Sequence, residues 1–98
     1  MNTEKYKCYM CGRYGPTEKH HVFGGANRAH SEKDKLYVHL CHACHNEPPD
    51  GVHFNKSRRR WLQAIAQEEY EKQKIEQGST PEEARALFMQ RYGRSYIE

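Results

Sequence analysis

Four cysteines occur as two Cys-x-x-Cys pairs, Cys8/Cys11 and Cys41/Cys44, with 29 residues between the pairs. Four thiolates form the closed, tetrahedral ligand set of a structural zinc site, and a hairpin between the pairs would bring them together. We therefore expect one Zn²⁺ bound by all four cysteines, which would also help to fold the chain. Disulfides, a redox Cys-x-x-Cys pair, and a cluster in which a histidine replaces one cysteine are the other interpretations of the same residues.

Histidines are free for another task once four thiolates have completed a zinc shell. His20 and His21 are adjacent, and neighbouring side chains of a strand point to opposite faces, so one can bind a metal while the other meets a substrate. His45 directly follows the last cysteine, and His53 follows a Pro-Pro turn. A divalent ion held by a few imidazoles with open positions is a catalytic type of site. The alternatives are ordinary surface or core histidines, a place for His45 in the zinc shell, and a helix-start role for His53.

The strands that must position these residues are short. One strand is predicted to end in His20-His21-Val22-Phe23, and a loop follows over 24–27, where two glycines break the pattern. A second strand is predicted over 36–40 and leads directly into the second cysteine pair. Residues 46–51 form a turn by composition, because prolines fix φ and an Asp-Gly pair tolerates tight bends.

Two helices are predicted to follow. The first is an uninterrupted helical pattern over 54–77 that begins near residues 52–55. Gly78 ends it, Thr80 can cap a second, shorter helix, and Pro81 suits the first position of that helix. The apolar residues are Trp61, Leu62, Ile65, Ala66 and Tyr70 in the first helix, and Ala84, Leu87 and Phe88 in the second. Steps of three and four residues give each helix one apolar face for packing.

The composition limits the size of the fold. With 98 residues, of which 36% are hydrophobic and 30% charged, the chain has room for one α+β domain, residues 1–98, with a small core. No stretch approaches the roughly 18 apolar residues that span a bilayer, and the opening residues lack the apolar core of a secretory signal. We therefore expect a cytoplasmic protein without membrane contact. The net charge of +3 does not by itself indicate nucleic-acid binding.

Three segments together carry a family pattern. They are Cys-x-x-Cys at 8–11, His-His-Val-Phe-Gly-Gly at 20–25, and Leu-Cys-His-Ala-Cys-His-Asn at 40–46. With them the chain resembles the HNH endonucleases of the His-Me finger (ββα-metal) class, particularly small phage and prophage members. Gly-Val-His at 51–53 and Tyr-Gly-Arg-Ser-Tyr at 92–96 add to the resemblance, the latter more weakly.

The resemblance implies a fold and an activity. It covers about residues 8–60, which would form a zinc-stapled ββα-metal unit, and leaves about residues 61–98 as a helical extension. The implied function is a metal-dependent DNA endonuclease that hydrolyses phosphodiester bonds with a histidine-activated water. The catalytic ion would be a divalent cation such as Mg²⁺, Mn²⁺, Ni²⁺ or Zn²⁺.

The resemblance also assigns roles to the histidines. By motif position His21 would be the general base, and His20 and His45 would be metal ligands, with His53 as the candidate third ligand. Neutral imidazole accepts a proton near physiological pH, which suits these roles. The roles of His20 and His21 could be exchanged.

The chain departs from the family pattern at two places. Leu36 occupies the position of the middle Asn, so Asn27 is the nearest residue whose amide could hold the loop that carries the base. His45 and His53 are eight positions apart, which is further than in the family, so the Pro-Pro turn must loop out to bring them together. If it does not, the residues available to complete the shell are Asn46, Asp50 and Asn55.

A basic run lies at the start of the long helix. Its cations are Lys56, Arg58, Arg59 and Arg60. Cations beside a phosphodiester-cutting site can contact DNA phosphates, and Arg28 could do the same near the metal, although a solvated face is the alternative for both. Trp61 is expected in the core. DNA is therefore the expected partner, with a larger phage, recombination or packaging machine as a further one, and the oligomeric state stays open.

Two other functions compete with the nuclease. A zinc-stabilised DNA- or protein-binding module that has lost catalysis would keep the same framework, and the leucine at position 36 favours it. A redox or zinc-handling protein without nucleic-acid affinity would need only the cysteine pairs.

Overall fold

A computed structural model describes residues 4–97, with side chains from residue 6 onward. It contains a three-stranded antiparallel sheet and four α-helices, so the α+β class expected from the sequence is confirmed. The strands are β1 (Glu4–Lys7), β2 (Tyr14–His21) and β3 (Tyr37–Leu40), and the helices are α1 (Arg28–Lys33), α2 (His42–Asn46), α3 (Lys56–Glu76) and α4 (Pro81–Tyr92).

The strand β2 is the centre of the sheet and lies between β1 and β3. It ends at His21, and β3 pairs with it so that His20 lies opposite Val38 and His21 opposite Tyr37. Both predicted strands are therefore present within two residues of their expected ends. The edge strand β1 was not predicted, because its four residues, Glu-Lys-Tyr-Lys, have no apolar alternation.

The segment after the histidine pair differs from the expected loop. Gly25–Asn27 forms a 3₁₀ turn that continues directly into α1. Ser31 on α1 is fully buried, and its hydroxyl accepts a hydrogen bond from the backbone N–H of Phe23 at 3.3 Å and donates to the carbonyl of Leu36 at 2.5 Å. One serine thus ties the end of β2 to the start of β3, and this contact between distant positions leaves no signal in the local pattern.

Both long helices begin at a capped residue, within the ranges that the sequence predicts. The Asn55 side chain accepts from the backbone N–H of Arg58 at the start of α3. Thr80 caps α4 and Pro81 occupies its first position, as the sequence predicts, and Glu83 completes a capping box with Thr80. Both caps satisfy backbone donors that a helix end otherwise leaves unpaired.

Two residues assigned to the apolar faces lie outside them. Trp61 is 50% exposed and Leu87 is 39% exposed, whereas Leu62 and Phe88, the next residue in each case, are buried. Consecutive residues of a helix point about 100° apart, so the buried stripe passes beside Trp61 and Leu87. The core prediction for Trp61 is therefore wrong.

An aromatic cluster joins the C-terminal helices to the sheet. The ring of Phe23, just after β2, packs against Phe88 and Tyr92 of α4 with centroid distances of 5.5 and 4.7 Å. Asp34, at the end of α1, accepts hydrogen bonds from Arg91 at 2.6 Å and from the hydroxyl of Tyr92 at 2.5 Å. The helix α4 therefore supports the segment that follows the histidine pair. Within residues 4–97 none of the helices has both the length and the apolar character that a bilayer crossing requires.

Candidate metal centres and active site

The four cysteines meet in one cluster. Cys8 and Cys11 lie in the turn after β1, Cys41 is the N-cap of α2, and Cys44 lies within α2. Their sulfur atoms all lie within 4.8 Å of one another, and all four are free thiols. The cluster has the ligand set of a closed tetrahedral zinc site. These residues can hold a structural metal ion such as zinc, and the thiols are not joined as disulfides.

The electrostatics of the cluster suit a thiolate. Burial raises the pKa of the Cys8 thiol, but backbone hydrogen bonds, the largest from Cys11, outweigh it and lower that pKa to about 6. Burial raises the pKa of Cys44, and its thiol neighbours raise it further. Closely spaced thiols without a cation cannot all ionise, and a bound metal ion supplies the positive charge that stabilises four thiolates.

Three of the four predicted site histidines form a second cluster. His20 lies on β2, His45 on α2, and His53 just before α3, and the nitrogen atoms that they offer lie within 4.8 Å of one another. The Nε2 atoms of His45 and His53 are 3.0 Å apart, and the ring centroid of His20 is 5.1 Å from each of the other two. The structure thus brings together the three residues proposed as ligands.

His20 carries an unpaired polar atom. Its Nε2 is buried and is the one such side-chain atom without a hydrogen-bond partner among the described residues. A buried polar atom without a partner is costly unless something binds it. Burial, followed by the charge of His45, lowers the pKa of His20 to about 4, so its imidazole is neutral at physiological pH. A neutral, unpaired imidazole nitrogen is what a metal ion requires of a histidine ligand, so these residues fit a bound cation.

The turn before α3 brings His53 close to His45, although the two residues are eight positions apart. The backbone N–H of Gly51 donates to the carbonyl of Glu47 at 2.6 Å, and that of Val52 donates to Cys44 at 2.8 Å. The N–H of His53 then donates to the carbonyl of His45 at 3.3 Å. The chain therefore loops out and returns, which places His53 beside His45.

Gly51 makes this return possible. A Cβ atom at position 51 would lie 2.7 Å from the backbone N and O of Glu47. We expect Gly51→Ala to lower the free energy of unfolding by about 1–3 kcal/mol, because the backbone must shift, and to weaken metal binding at the imidazole cluster by moving His53. Thermal denaturation and titration calorimetry with Ni²⁺ measure the two effects.

Gly24→Ala is the matched control for that variant. The added methyl group meets nothing within 4 Å, and the residue has extended backbone with φ of −101°. An equal loss of stability and of metal affinity in both variants would contradict the role assigned to Gly51.

His21 lies beside the imidazole cluster but outside it. Its Nε2 is 2.8 Å from a carboxylate oxygen of Glu32, and its Nδ1 is 3.4 Å from Nε of Arg28. A carboxylate only accepts, so Nε2 carries the proton and Nδ1 keeps a lone pair. Hydrogen bonds from His21, then from Lys19, lower the pKa of Glu32, which keeps that carboxylate ionised.

One cavity connects these groups. It measures about 230 Å³ and is open to solvent on one side. Its lining residues are Lys19, His20, His21, Gly24, Arg28, His45 and His53. A substrate in this cavity would meet the predicted base, the predicted ligands and two cations at once.

Asn27 and Leu36, the two residues considered for the role of the middle Asn, have different surroundings. The Asn27 amide donates to the carbonyl of Tyr92 at 3.1 Å, so it ties its segment to α4 and not to β3. Leu36 is a core residue with 4% exposure. The link between the end of β2 and the start of β3 is made by Ser31, which the sequence did not indicate.

The basic residues divide into two groups. Arg28 lines the cavity, and Arg59 donates to the carbonyl of Val52 at 3.0 Å and so supports the turn before His53. The remaining predicted contacts, at the start of α3, are Lys56, Arg58 and Arg60. Lys56 and Arg60 are exposed and Arg58 is half-buried.

Two acidic residues complete the site, and neither was predicted from the sequence as a site residue. Glu18 accepts from Nδ1 of His45 at 2.7 Å, and Glu32 holds His21. Glu18 precedes His20 by two positions, so the alternation of a strand puts both on one face, and this signal could have been found. Glu32 lies on α1, a helix that was not predicted from the sequence.

Comparison of the chain with protein-family models, with curated proteins and with solved structures gave no match.

Proposed function

We propose that the chain is a metal-dependent DNA endonuclease that hydrolyses phosphodiester bonds through a histidine-activated water. The proposal is carried by the convergence of three imidazoles, one with an unpaired buried nitrogen, beside a fourth histidine in the same cavity. The resemblance of the sequence motifs to those of HNH endonucleases supports the reaction class. In this proposal β2, β3 and α2 would supply the two strands and the helix of a ββα-metal unit.

His20, His45 and His53 would hold the catalytic cation. The chemistry that a divalent cation supplies at such a site is polarisation of the scissile phosphate and stabilisation of the leaving oxygen. The cysteine cluster takes no part in this chemistry, because four thiolates leave a zinc ion no open position.

His21 acts as the general base. Its Nδ1 lone pair accepts a proton from the attacking water, while Nε2–H stays hydrogen-bonded to Glu32. The ionised carboxylate of Glu32 stabilises the imidazolium that forms. The geometry favours His21 as the base and His20 as a metal ligand over the reverse assignment, because His20 belongs to the imidazole cluster and His21 does not.

Arg28 binds the phosphate. Its contact with His21 is long, at 3.4 Å, and a phosphate oxygen is a stronger partner for a guanidinium than a neutral imidazole. Binding of the phosphate by Arg28 therefore frees Nδ1 of His21 for the water. The exposed Lys56 and Arg60 would contact the DNA backbone further along the duplex.

The test is cleavage of supercoiled plasmid with Mg²⁺, Mn²⁺, Ni²⁺ or Zn²⁺. We expect conversion to nicked circles with at least one of these ions and none in EDTA. His53→Ala is expected to abolish nicking, since it removes an exposed ligand with little disturbance of the core. His30→Ala is the control, because His30 lies outside both metal clusters, and it should retain wild-type nicking.

The alternatives appear as different outcomes of the same experiment. Absence of nicking with every ion, together with salt-dependent DNA retention on filters, would replace the nuclease by a zinc-stabilised binding module. Absence of both would indicate a zinc-handling or redox protein.

A further inference from the structure

We propose that Glu18 is a positioning residue of the imidazole metal site, which orients His45 toward the cation through its Nδ1–H. The inference rests on the proposed function only in taking the imidazole cluster as a metal site, and it requires no DNA cleavage.

The placement of Glu18 follows from the strand. Glu18 and His20 are two residues apart on β2, so both side chains point to the face that α2 covers. The carboxylate oxygen Oε1 of Glu18 lies 2.7 Å from Nδ1 of His45, while Nε2 of His45 lies 3.0 Å from Nε2 of His53. His45 therefore presents one nitrogen to the carboxylate and the other to the cluster.

The carboxylate of Glu18 is itself held at both oxygens. The Asn46 amide donates to Oε1 at 3.1 Å, and Nδ1 of His42 lies 3.0 Å from Oε2. The Glu18 side chain is 24% exposed, against 57% for Glu47, whose nearest contact with His42 is 3.8 Å. Three side chains therefore contact the Glu18 carboxylate within 3.1 Å, whereas Glu47, which also lies near His42, makes only the longer contact.

This arrangement determines the tautomer of His45, and that tautomer is one that a metal ion can bind. A carboxylate cannot donate, so Nδ1 of His45 carries the proton and the lone pair is on Nε2. The charge of the carboxylate also makes that Nε2 a stronger donor to a cation. Removal of such a partner typically weakens metal binding by about 10- to 100-fold.

The experiment is Glu18→Gln in protein whose cysteine site is loaded with zinc. Titration calorimetry with Ni²⁺ is expected to show wild-type binding of a second ion and about 10- to 100-fold weaker binding by the variant. Nitrogen-15 spectra of the histidines should show His45 as a single Nδ1–H tautomer in the wild type and as a mixture in Glu18→Gln.

Two further variants separate positioning from folding. Glu47→Gln, the matched glutamate outside the cluster, should bind Ni²⁺ as the wild type does. Glu18→Asp keeps the charge and should bind more tightly than Glu18→Gln at equal thermal stability, whereas a purely structural role would make affinity follow stability.

The outcomes distinguish the two proposals. Wild-type protein that binds no second ion would remove the imidazole metal site, and with it both the proposed function and the role of Glu18. Tight binding by the wild type with an unchanged affinity in Glu18→Gln, or an equal loss in Glu47→Gln, would overturn the role of Glu18 alone.

Discussion

Cys44→Ser is expected to abolish the cooperative fold. Cys44 is 8% exposed within the core, and the carbonyl of the same residue accepts the backbone N–H of Val52. Structural zinc contributes about 10–16 kcal/mol to small metal-folded domains, whereas the net stability of a domain is about 5–15 kcal/mol. Loss of one of the four ligands therefore weakens a contribution that is comparable to the whole stability. Circular dichroism during heating and the zinc content of the purified protein measure the effect.

The same substitution should disrupt the imidazole cluster. His45 follows Cys44 on α2, and the hydrogen bond from Val52 fixes the turn that carries His53. Ala43→Ser is the control, because it places a serine at the preceding exposed position of α2 without touching a ligand. A variant Cys44→Ser that keeps one zinc ion per chain and a wild-type melting temperature would contradict the structural role of the cluster.

The local features of the fold could be predicted from the sequence. Two Cys-x-x-Cys pairs specify a shared site because tetrahedral zinc demands four ligands. Thr80 and Pro81 mark the start of α4 because each satisfies a requirement of a helix N-terminus at its own position. In these cases the chemistry of one residue or one short spacing decides the structure.

The pairings between distant segments could not be predicted from the sequence, although strand alternation already places Glu18 on the same face as His20. The partners of the site histidines, Glu18 for His45 and Glu32 for His21, are 27 and 11 positions away from them. Their pairing depends on the register of β2 and on α1, which the sequence did not predict. The prediction for Trp61 failed for a related reason. Steps of three and four residues fit two neighbouring stripes of one helix, and only the packing against the rest of the fold decides which stripe is buried.

His21→Ala is expected to remove cleavage without removing the metal. General-base catalysis contributes about 10²- to 10⁴-fold, so the rate of plasmid nicking should fall by that factor. The affinity for Ni²⁺ should stay at the wild-type value, because His21 is not a member of the imidazole cluster. Imidazole added to the buffer should restore part of the rate, since the deleted side chain leaves its place in an open cavity.

Glu32→Gln tests the proposed base through the other ring nitrogen of His21, the one that Glu32 contacts. The amide can still accept from Nε2 of His21, but it no longer carries the charge that stabilises the imidazolium, so the loss of rate should be smaller than in His21→Ala. Glu32 is 50% exposed, and its replacement should leave the thermal unfolding unchanged. If His21→Ala instead weakens Ni²⁺ binding while His20→Ala does not, the roles of the two histidines are exchanged. The base would then be the buried His20, and Glu32 would support a metal ligand.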